Sequence, residues 1–140
     1  MDAIGKATWQ GDWHSGAGTM STTSPSLQGL PYTFATRFED QAGASPEELL
    51  ASAHAGCFNQ ALANNLGQAG LAAASMETSV MVNYGIDDGL PTIRSAKITV
   101  RASVTGATPS EFAEWADRSA KGCTISRALA IPISLDAALA

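Results

Sequence analysis

The stretch SPEELLASAHAGCFNQAL, residues 45–62, predicts the clearest helix of the chain and places a cysteine in its middle. Ser45 fits the N-cap, Pro46 fits the first helical position, and Glu48 completes a Ser-x-x-Glu capping box. Apolar residues then recur at helical spacing, which predicts a helix over 46–69. The apolar face is wide, so we expect this helix to be buried on more than one side.

The remaining segments predict an α+β chain with the element order ββ(loop)α ββ α β and antiparallel sheet. Glycine and proline clusters separate the strands from one another. The predicted strands lie near 5–13, 17–23, 76–86, 91–104 and 130–137, and the loop after the second strand contains a short extended piece around 32–37. A second capping box at 108–111 opens a helix that ends at Gly122, and Cys123 and one more helical turn over 124–129 follow it.

Length and composition indicate one globular domain over residues 1–140, with 45% hydrophobic and 15% charged residues. The net charge of −5, with only 8 Lys and Arg residues, argues against nucleic acid and anionic membrane as partners. No apolar run approaches a membrane span of about 18 residues, and the first residues lack the apolar stretch of a signal peptide. We therefore expect a cytoplasmic protein, in which a cysteine pair is more often reduced, catalytic or metal-binding than a structural disulfide.

Cys57 has two interpretations, a small apolar core residue or a reactive thiol. Gly56 beside it lowers helix stability by roughly 1 kcal/mol relative to alanine, which predicts that something packs close to the backbone there. A thiol this far inside a helix gains little from the helix dipole, and burial raises its pKa. As a nucleophile, Cys57 would therefore need a cation brought from elsewhere in the fold.

Arg37, in the segment ATRFED, is one candidate for that cation. The simpler interpretation is a loop arginine paired with Glu39 or Asp40. Glu47 is ambiguous in the same way, because an acidic residue in the first turn of a helix is ordinary complementarity to the dipole.

His54 and Cys57 share a helix face at i and i+3, and with Cys123 they would make three zinc ligands. His14 is a distant candidate for the fourth ligand, and zinc-finger spacings are absent. Cys123 follows Gly122 at a helix C-terminus, where it is either mobile enough to reach a partner sulfur or a capping-region cysteine without a role. A bridge between the cysteines requires Cα atoms within about 7 Å.

Three segments together resemble the osmotically inducible protein C and organic hydroperoxide resistance (OsmC/Ohr) family of thiol peroxidases. ATWQGDWHSGAGTMST is similar to the opening hairpin of that family, and KGCTISRAL is similar to its second cysteine motif. PYTFATRFEDQAGASPEELLASAHAGCF is similar to its most specific segment, especially in the OsmC branch, where Arg-Phe-Glu shortly precedes PEEL. Thr124 departs from the OsmC pattern, in which proline commonly follows the second cysteine.

The resemblance implies strands curled around a long central helix, in an intertwined homodimer with two sites at the interface. It implies Cys57 as the peroxidatic cysteine, Cys123 as the resolving cysteine, and Arg37 with Glu47 as the pair that activates and orients the site. The implied substrates are organic hydroperoxides, with hydrogen peroxide a poorer one. The implied reductant is a dithiol such as a lipoylated protein, and no cofactor or metal is implied.

Glu47 and Cys57 are ten residues apart in one predicted helix, which separates their Cα atoms by about 15 Å along the axis. Side chains do not easily close that gap. We therefore expect Arg37 and Glu47 to approach Cys57 from the other subunit, unless Arg37 alone swings across from Glu47.

Two other functions would use the same residues: a stress-related redox sensor without efficient turnover, and a zinc-binding or purely structural dimer. Aromatic and aliphatic side chains around the site would favour an apolar organic part in a peroxide substrate. The candidates for such a lining are Phe34, Phe38, Phe58, Leu49 and Trp115.

Overall fold

The computed structural model describes all residues from 1 to 140 and shows a mixed α+β fold. Its elements are β1 (Gly5–Gln10), β2 (Ala17–Thr22), β3 (Leu30–Thr33), α1 (Phe34–Phe38), α2 (Pro46–Gln68), β4 (Ala73–Asp87), β5 (Leu90–Val104), α3 (Pro109–Gly122), α4 (Thr124–Ala128) and β6 (Ile133–Leu139). The Cα positions divide the chain into two compact units, Met1–Leu49 and Leu50–Ala140. None of the helices combines the length and hydropathy needed to cross a membrane.

The first unit contains an antiparallel sheet in the order β1-β2-β3, and its opening hairpin confirms the sequence prediction. Gly18 on the middle strand is paired with Trp9 on one side and Tyr32 on the other. A Cβ on Gly18 would lie 2.2 Å from the Thr8 carbonyl oxygen and 2.9 Å from each of the two rings, so only glycine fits there. The rings of Trp9 and Tyr32 meet above it, with centroids 5.4 Å apart.

The extended piece predicted over 32–37 is wrong beyond Thr33, because residues 34–38 form the short helix α1. Thr33 is its N-cap: the Thr33 hydroxyl accepts from the Thr36 N–H, and the Thr36 hydroxyl accepts from the Thr33 N–H. This local capping box overrides the strand preference of the neighbouring Tyr, Thr and Phe residues.

Helix α2 begins at Pro46 as predicted, with the Ser45 hydroxyl accepting from the Glu48 N–H at 3.0 Å. Its buried face repeats every fourth residue, at His54, Phe58, Leu62 and Leu66. Positions 53, 63 and 64 are exposed, so burial on more than one side is not found within the chain. Gly70 then takes a φ of +74° and ends the helical segment as predicted.

The second unit contains a sheet in the order β4-β5-β6. Strands β4 and β5 form a long antiparallel hairpin whose two turn residues, Asp88 and Gly89, both have positive φ (51° and 81°). The expectation of a wholly antiparallel sheet is wrong, because β6 pairs with β5 in parallel. The chain crosses through α3 and α4 between these two strands, and a crossover of that length permits parallel pairing. Strand β6 begins at Ile133, after Pro132, which has no N–H to donate.

The hydrophobic core of the second unit lies on one face of β5. Alternate residues of that strand point into it, namely Ala96, Ile98, Val100, Ala102 and Val104. Helix α2 adds the apolar members of its buried face, and α3 adds Phe112 and Ala116. The predicted capping box of α3 is present, since the Thr108 hydroxyl accepts from the Glu111 N–H and the Glu111 carboxylate accepts from the Thr108 N–H.

Gly56 does not have the close neighbour that its position in a helix predicted. No heavy atom lies within 4 Å of the place a Cβ would take, and the residue is exposed. We therefore expect Gly56→Ala to stabilise the chain by about 0.5–1 kcal/mol, because alanine restricts the unfolded backbone and fits the helix. Thermal unfolding measures the change. The control is Gly67→Ala, because Gly67 is also an exposed glycine of α2 with no atom within 4 Å of the place a Cβ would take. Destabilisation by Gly56→Ala alone would contradict the prediction.

Candidate active site

Cys57 and Cys123 lie side by side in the second unit, with 2.9 Å between their Sγ atoms. Both are free thiols, and Cys57 is half-buried whereas Cys123 is buried. The Cys123 N–H donates to the Ser119 carbonyl at 2.9 Å, and the Cys123 carbonyl accepts from the Arg127 N–H at 3.0 Å. Cys123 is therefore held at the junction of α3 and α4, with its sulfur against the middle of α2.

The two thiols differ in acidity, because their surroundings shift the two pKa values in opposite directions. Burial opposes ionisation of Cys57, but hydrogen bonds from the Cys123 thiol, from the N–H groups of Ile125 and Thr124 and from the Thr124 side chain outweigh it and lower the Cys57 pKa. Burial and the hydrogen bond to Cys57 raise the pKa of Cys123. When the pair loses one proton, the negative charge is therefore favoured on Cys57 and the remaining proton on Cys123.

Sequence reasoning missed the donors that make Cys57 acidic. It sought a cation because Cys57 lies in the middle of a helix, whereas backbone N–H groups from the first turn of α4 supply part of the stabilisation. The signal was present in TISRAL, because a helical turn that begins immediately after Cys123 leaves its first N–H groups without partners inside the helix.

Thr124 contributes two of these donors, and its replacement tests them. Thr124→Val removes the hydroxyl, and Thr124→Pro removes both the hydroxyl and the N–H. Proline is compatible with this position, because Cys123 already has the extended backbone (ψ 133°) that a residue before proline prefers. We expect the Cys57 pKa to rise from wild type to Thr124→Val and further to Thr124→Pro.

Because the thiolate is the reactive form, each rise in that pKa moves the alkylation profile of Cys57 to higher pH. Iodoacetamide labelling across pH, read at the Cys57 peptide by mass spectrometry, measures the profile. The rate at neutral pH falls severalfold, and the plateau at high pH stays the same. Wild-type profiles for both variants would show that Thr124 does not affect the thiol.

Arg37 and Glu47 form a second pair, within the first unit. Arg37 Nη2 lies 2.5 Å from Glu47 Oε1, and Arg37 Nε lies 3.3 Å from Glu47 Oε2. The carboxylate is buried, the guanidinium is partly buried, and the guanidinium carbon lies 4.7 Å from the centroid of the Phe38 ring. The two-point pair expected between these residues is therefore present.

Phe38, which contacts this arginine, belongs to an aromatic cluster of four residues: Trp13, His14, Phe34 and Phe38. The ring centroids of Trp13 and Phe34 lie 5.0 Å apart in an edge-to-face arrangement, and those of His14 and Phe34 lie 4.3 Å apart. Sequence reasoning named Phe34 and Phe38 but missed Trp13 and His14, which follow the first strand in QGDWHSG. Two other candidates for an apolar lining, Phe58 and Trp115, pack in or against the core of the second unit instead.

The zinc site considered for His54, Cys57 and Cys123 is not formed. His54 is fully buried, and its Nε2 lies 2.7 Å from the hydroxyl oxygen of Ser126. Burial lowers the His54 pKa, so the ring is neutral at neutral pH, and its Nδ1 has no hydrogen-bond partner. No group of three or more His, Cys, Asp or Glu side chains is placed to hold a metal ion.

The chain has clear relatives in sequence. The family model for OsmC-like protein matches residues 38–137, a range that contains Glu47 and both cysteines and begins one residue after Arg37. The chain is 39% identical over 132 residues to Peroxiredoxin OsmC of Escherichia coli (strain K12), across 94% of this chain and 92% of that protein.

Solved structures share the fold. OhrB, the organic hydroperoxide resistance protein of Bacillus subtilis, matches with a TM-score of 0.72 at 20% identity, across 98% of each chain. An organic hydroperoxide resistance protein from Elizabethkingia anophelis matches with a TM-score of 0.76 at 20% identity, across 98% of this chain and 96% of that chain. At such identities the likeness to solved structures establishes the fold alone.

Proposed function

This chain belongs to the OsmC-like family, and on that basis we propose that it is a thiol-dependent peroxidase that reduces organic hydroperoxides to alcohols and water. The observation that carries the proposal is the pair of free thiols 2.9 Å apart, in which Cys57 is more acidic and Cys123 less acidic than an ordinary thiol. The names of the relatives, Peroxiredoxin OsmC and organic hydroperoxide resistance protein, support the same activity.

In the first step the Cys57 thiolate attacks the distal oxygen of the hydroperoxide. The oxygen–oxygen bond breaks, the sulfur is oxidised by two electrons to a sulfenic acid, and the organic part leaves as an alkoxide that takes up a proton to become the alcohol. Hydrogen bonds to Cys57 lower its pKa and so increase the fraction of the attacking sulfur that is ionised.

In the second step the Cys123 thiol attacks the Cys57 sulfenic acid. A disulfide forms and one water molecule leaves, carrying the oxygen and the thiol proton. Because the sulfurs already lie 2.9 Å apart, only a small movement separates them from bonding distance. A dithiol such as a lipoyl group then restores both thiols by exchange and becomes a disulfide itself.

The Arg37 guanidinium stabilises the charge that develops on the departing alkoxide, and Glu47 orients the guanidinium through its two contacts. Glu47 and Cys57 are ten positions apart, which corresponds to about 15 Å of helix. In our proposal the pair therefore serves the Cys57 of the other subunit, so that each site of an intertwined homodimer needs both chains.

Exposed apolar side chains support a partner chain. Trp9 of β1 is 37% exposed, and the β4–β5 hairpin carries Met81, Ile86 and Leu90 with exposures of 61%, 43% and 68%. An interface with a partner chain would cover apolar side chains of this kind. We propose a homodimer of one OsmC/Ohr-like domain, residues 1–140, in the cytoplasm, where both cysteines remain reduced.

The aromatic cluster next to Arg37 supports an apolar organic part in the substrate. The Phe38 ring lies against the charged group, and Trp13 and Phe34 pack against Phe38, an arrangement that favours a hydrocarbon near the peroxide. In this proposal cumene hydroperoxide has the higher kcat/KM and hydrogen peroxide the lower.

Steady-state reduction of cumene, tert-butyl and hydrogen peroxides, with dihydrolipoamide as reductant, tests the proposal. The expected result is multiple turnovers per chain, a preference for the organic peroxides, and loss of two thiols for one disulfide gained after one equivalent of peroxide. Thiol loss without turnover would indicate a redox sensor and overturn the proposed enzyme.

A further inference from the structure

We propose that His54 is a positioning residue for the sulfur pair: its hydrogen bond to Ser126 holds α4, and with it Cys123, against Cys57. The proposal rests on the proposed function in so far as Cys123 is the resolving thiol. It assigns a role to a buried side chain that takes no part in the reaction steps described above.

The two members of this link lie one helical turn from the two sulfurs. His54 precedes Cys57 by three residues in α2, and Ser126 follows Cys123 by three residues in α4. His54 Nε2 and the Ser126 hydroxyl oxygen are 2.7 Å apart, and the two residues are 0% and 8% exposed. The side-chain link is therefore a second contact beside the 2.9 Å contact between the sulfurs. Both contacts join α2 to the segment formed by Cys123 and α4.

Besides this link, helix α4 is attached to α2 by the N–H groups of its first turn that donate to Cys57, and it adds no residue to the hydrophobic core. It is five residues long, and Ser126 is its one buried residue. A helix this short is marginal on its own, so its position depends on its attachments. Helix α3, which precedes Cys123, is different because Phe112 and Ala116 anchor it in the hydrophobic core. Of the two helices that flank Cys123, α3 is held by the core as well as by a polar link to α2, whereas α4 contributes no residue to that core.

One ring nitrogen of the His54 imidazole contributes unfavourably to stability. Nδ1 of His54 is buried without a hydrogen-bond partner, and a buried polar atom left unpaired lowers stability. An apolar side chain would fill this position of the buried face of α2 without that penalty. The histidine is therefore better explained by what Nε2 holds than by the stability of the core.

A link that fixes Cys123 beside Cys57 raises the effective concentration of one sulfur at the other. The equilibrium between the disulfide with two glutathione molecules and the dithiol with glutathione disulfide then lies further toward the protein disulfide. Loosening α4 lowers that effective concentration, and the equilibrium moves toward the dithiol. This readout differs from folding stability, which a merely structural histidine would affect.

The test is the redox equilibrium of the full-length protein in glutathione buffers, read by thiol alkylation and mass spectrometry. His54→Leu and Ser126→Ala are each expected to shift the equilibrium at least about tenfold toward the dithiol, about 30 mV for a two-electron couple. His54→Gln is expected to restore most of the wild-type value, because glutamine places an amide nitrogen near the position of Nε2.

Asn65→Leu is the matched control. Asn65 is also buried on α2, and its amide donates to the Ser119 hydroxyl of α3 at 2.8 Å. The leucine variant therefore loses the same kind of hydrogen bond, but to a helix that the core already anchors. It is expected to lower the melting temperature and to leave the redox equilibrium near that of the wild type.

A wild-type equilibrium in both His54→Leu and Ser126→Ala would overturn the proposal, as would an equal shift in Asn65→Leu. If His54→Leu does not fold, Ser126→Ala decides, because it removes only a hydroxyl. The measurement needs no peroxide, so its result is independent of the proposed activity. Absence of peroxide turnover in the wild type would count against the proposed function, whereas unshifted variants of an active enzyme would count against the role of His54.

Discussion

Cys57→Ser is expected to abolish peroxide reduction, with a fall in kcat/KM on the order of 10³-fold or more. A serine hydroxyl does not ionise near neutral pH and cannot accept the peroxide oxygen as a sulfenic acid. The fold is expected to remain, because Cys57 is half-buried and lies outside the hydrophobic core cluster. Initial rates with cumene hydroperoxide and dihydrolipoamide measure the loss, and circular dichroism checks the fold.

Cys123→Ser makes the same atomic change at the other sulfur and serves as the comparison. It is expected to consume one equivalent of peroxide per chain and then to stall as a Cys57 sulfenic acid that dimedone traps. Sustained turnover by Cys57→Ser, or a dimedone adduct on Cys123, would show that the two roles are reversed.

Arg37→Gln is expected to lower kcat/KM by about 10²–10³-fold, the usual effect of removing one preorganised charged donor from a developing anion. Glutamine keeps hydrogen-bonding groups and much of the length but loses the positive charge and the two-point contact with Glu47. Initial rates with cumene hydroperoxide measure the change. Arg101→Gln is a surface control, because Arg101 pairs with Asp136 at an exposed position. An equal loss in Arg101→Gln would contradict a specific role for Arg37.

Mixed dimers of Arg37→Gln and Cys57→Ser chains test which subunit supplies the arginine. If the arginine crosses the interface, one site of each mixed dimer combines an intact Cys57 with an intact Arg37, and up to half of the wild-type activity returns. If both residues act within one chain, no site is complete and activity stays at the level of the single variants. The second outcome would contradict the cross-subunit arrangement.

Elements with strong local signals could be predicted from the residues. Ser45 and Pro46 mark the start of α2, and Thr108 with Glu111 marks the start of α3. These signals act within one turn of helix, so distant contacts seldom override them. The arginine and its carboxylate were predicted with the help of the family resemblance, and their contact is present.

Features that depend on contacts distant in sequence could not be predicted in the same way. The parallel pairing of β6 with β5 depends on where the crossover places the last strand. The donors of α4 reach Cys57 only because residues 66 positions apart come together, and the link between His54 and Ser126 spans 72 positions. Helical periodicity places His54 on a buried face but does not identify its partner.

The separation of the two cysteines also bears on the unfolded chain. A disulfide between Cys57 and Cys123 would close a loop that spans 66 residues, and the chain-entropy model assigns such a crosslink about 4 kcal/mol of stabilisation at 25 °C. The folded chain loses little conformational entropy when the disulfide forms, because the sulfurs are already neighbours. Oxidation by peroxide would thus leave a protein that melts at a higher temperature than before, and the melting curve would record whether the chain last met an oxidant or a dithiol.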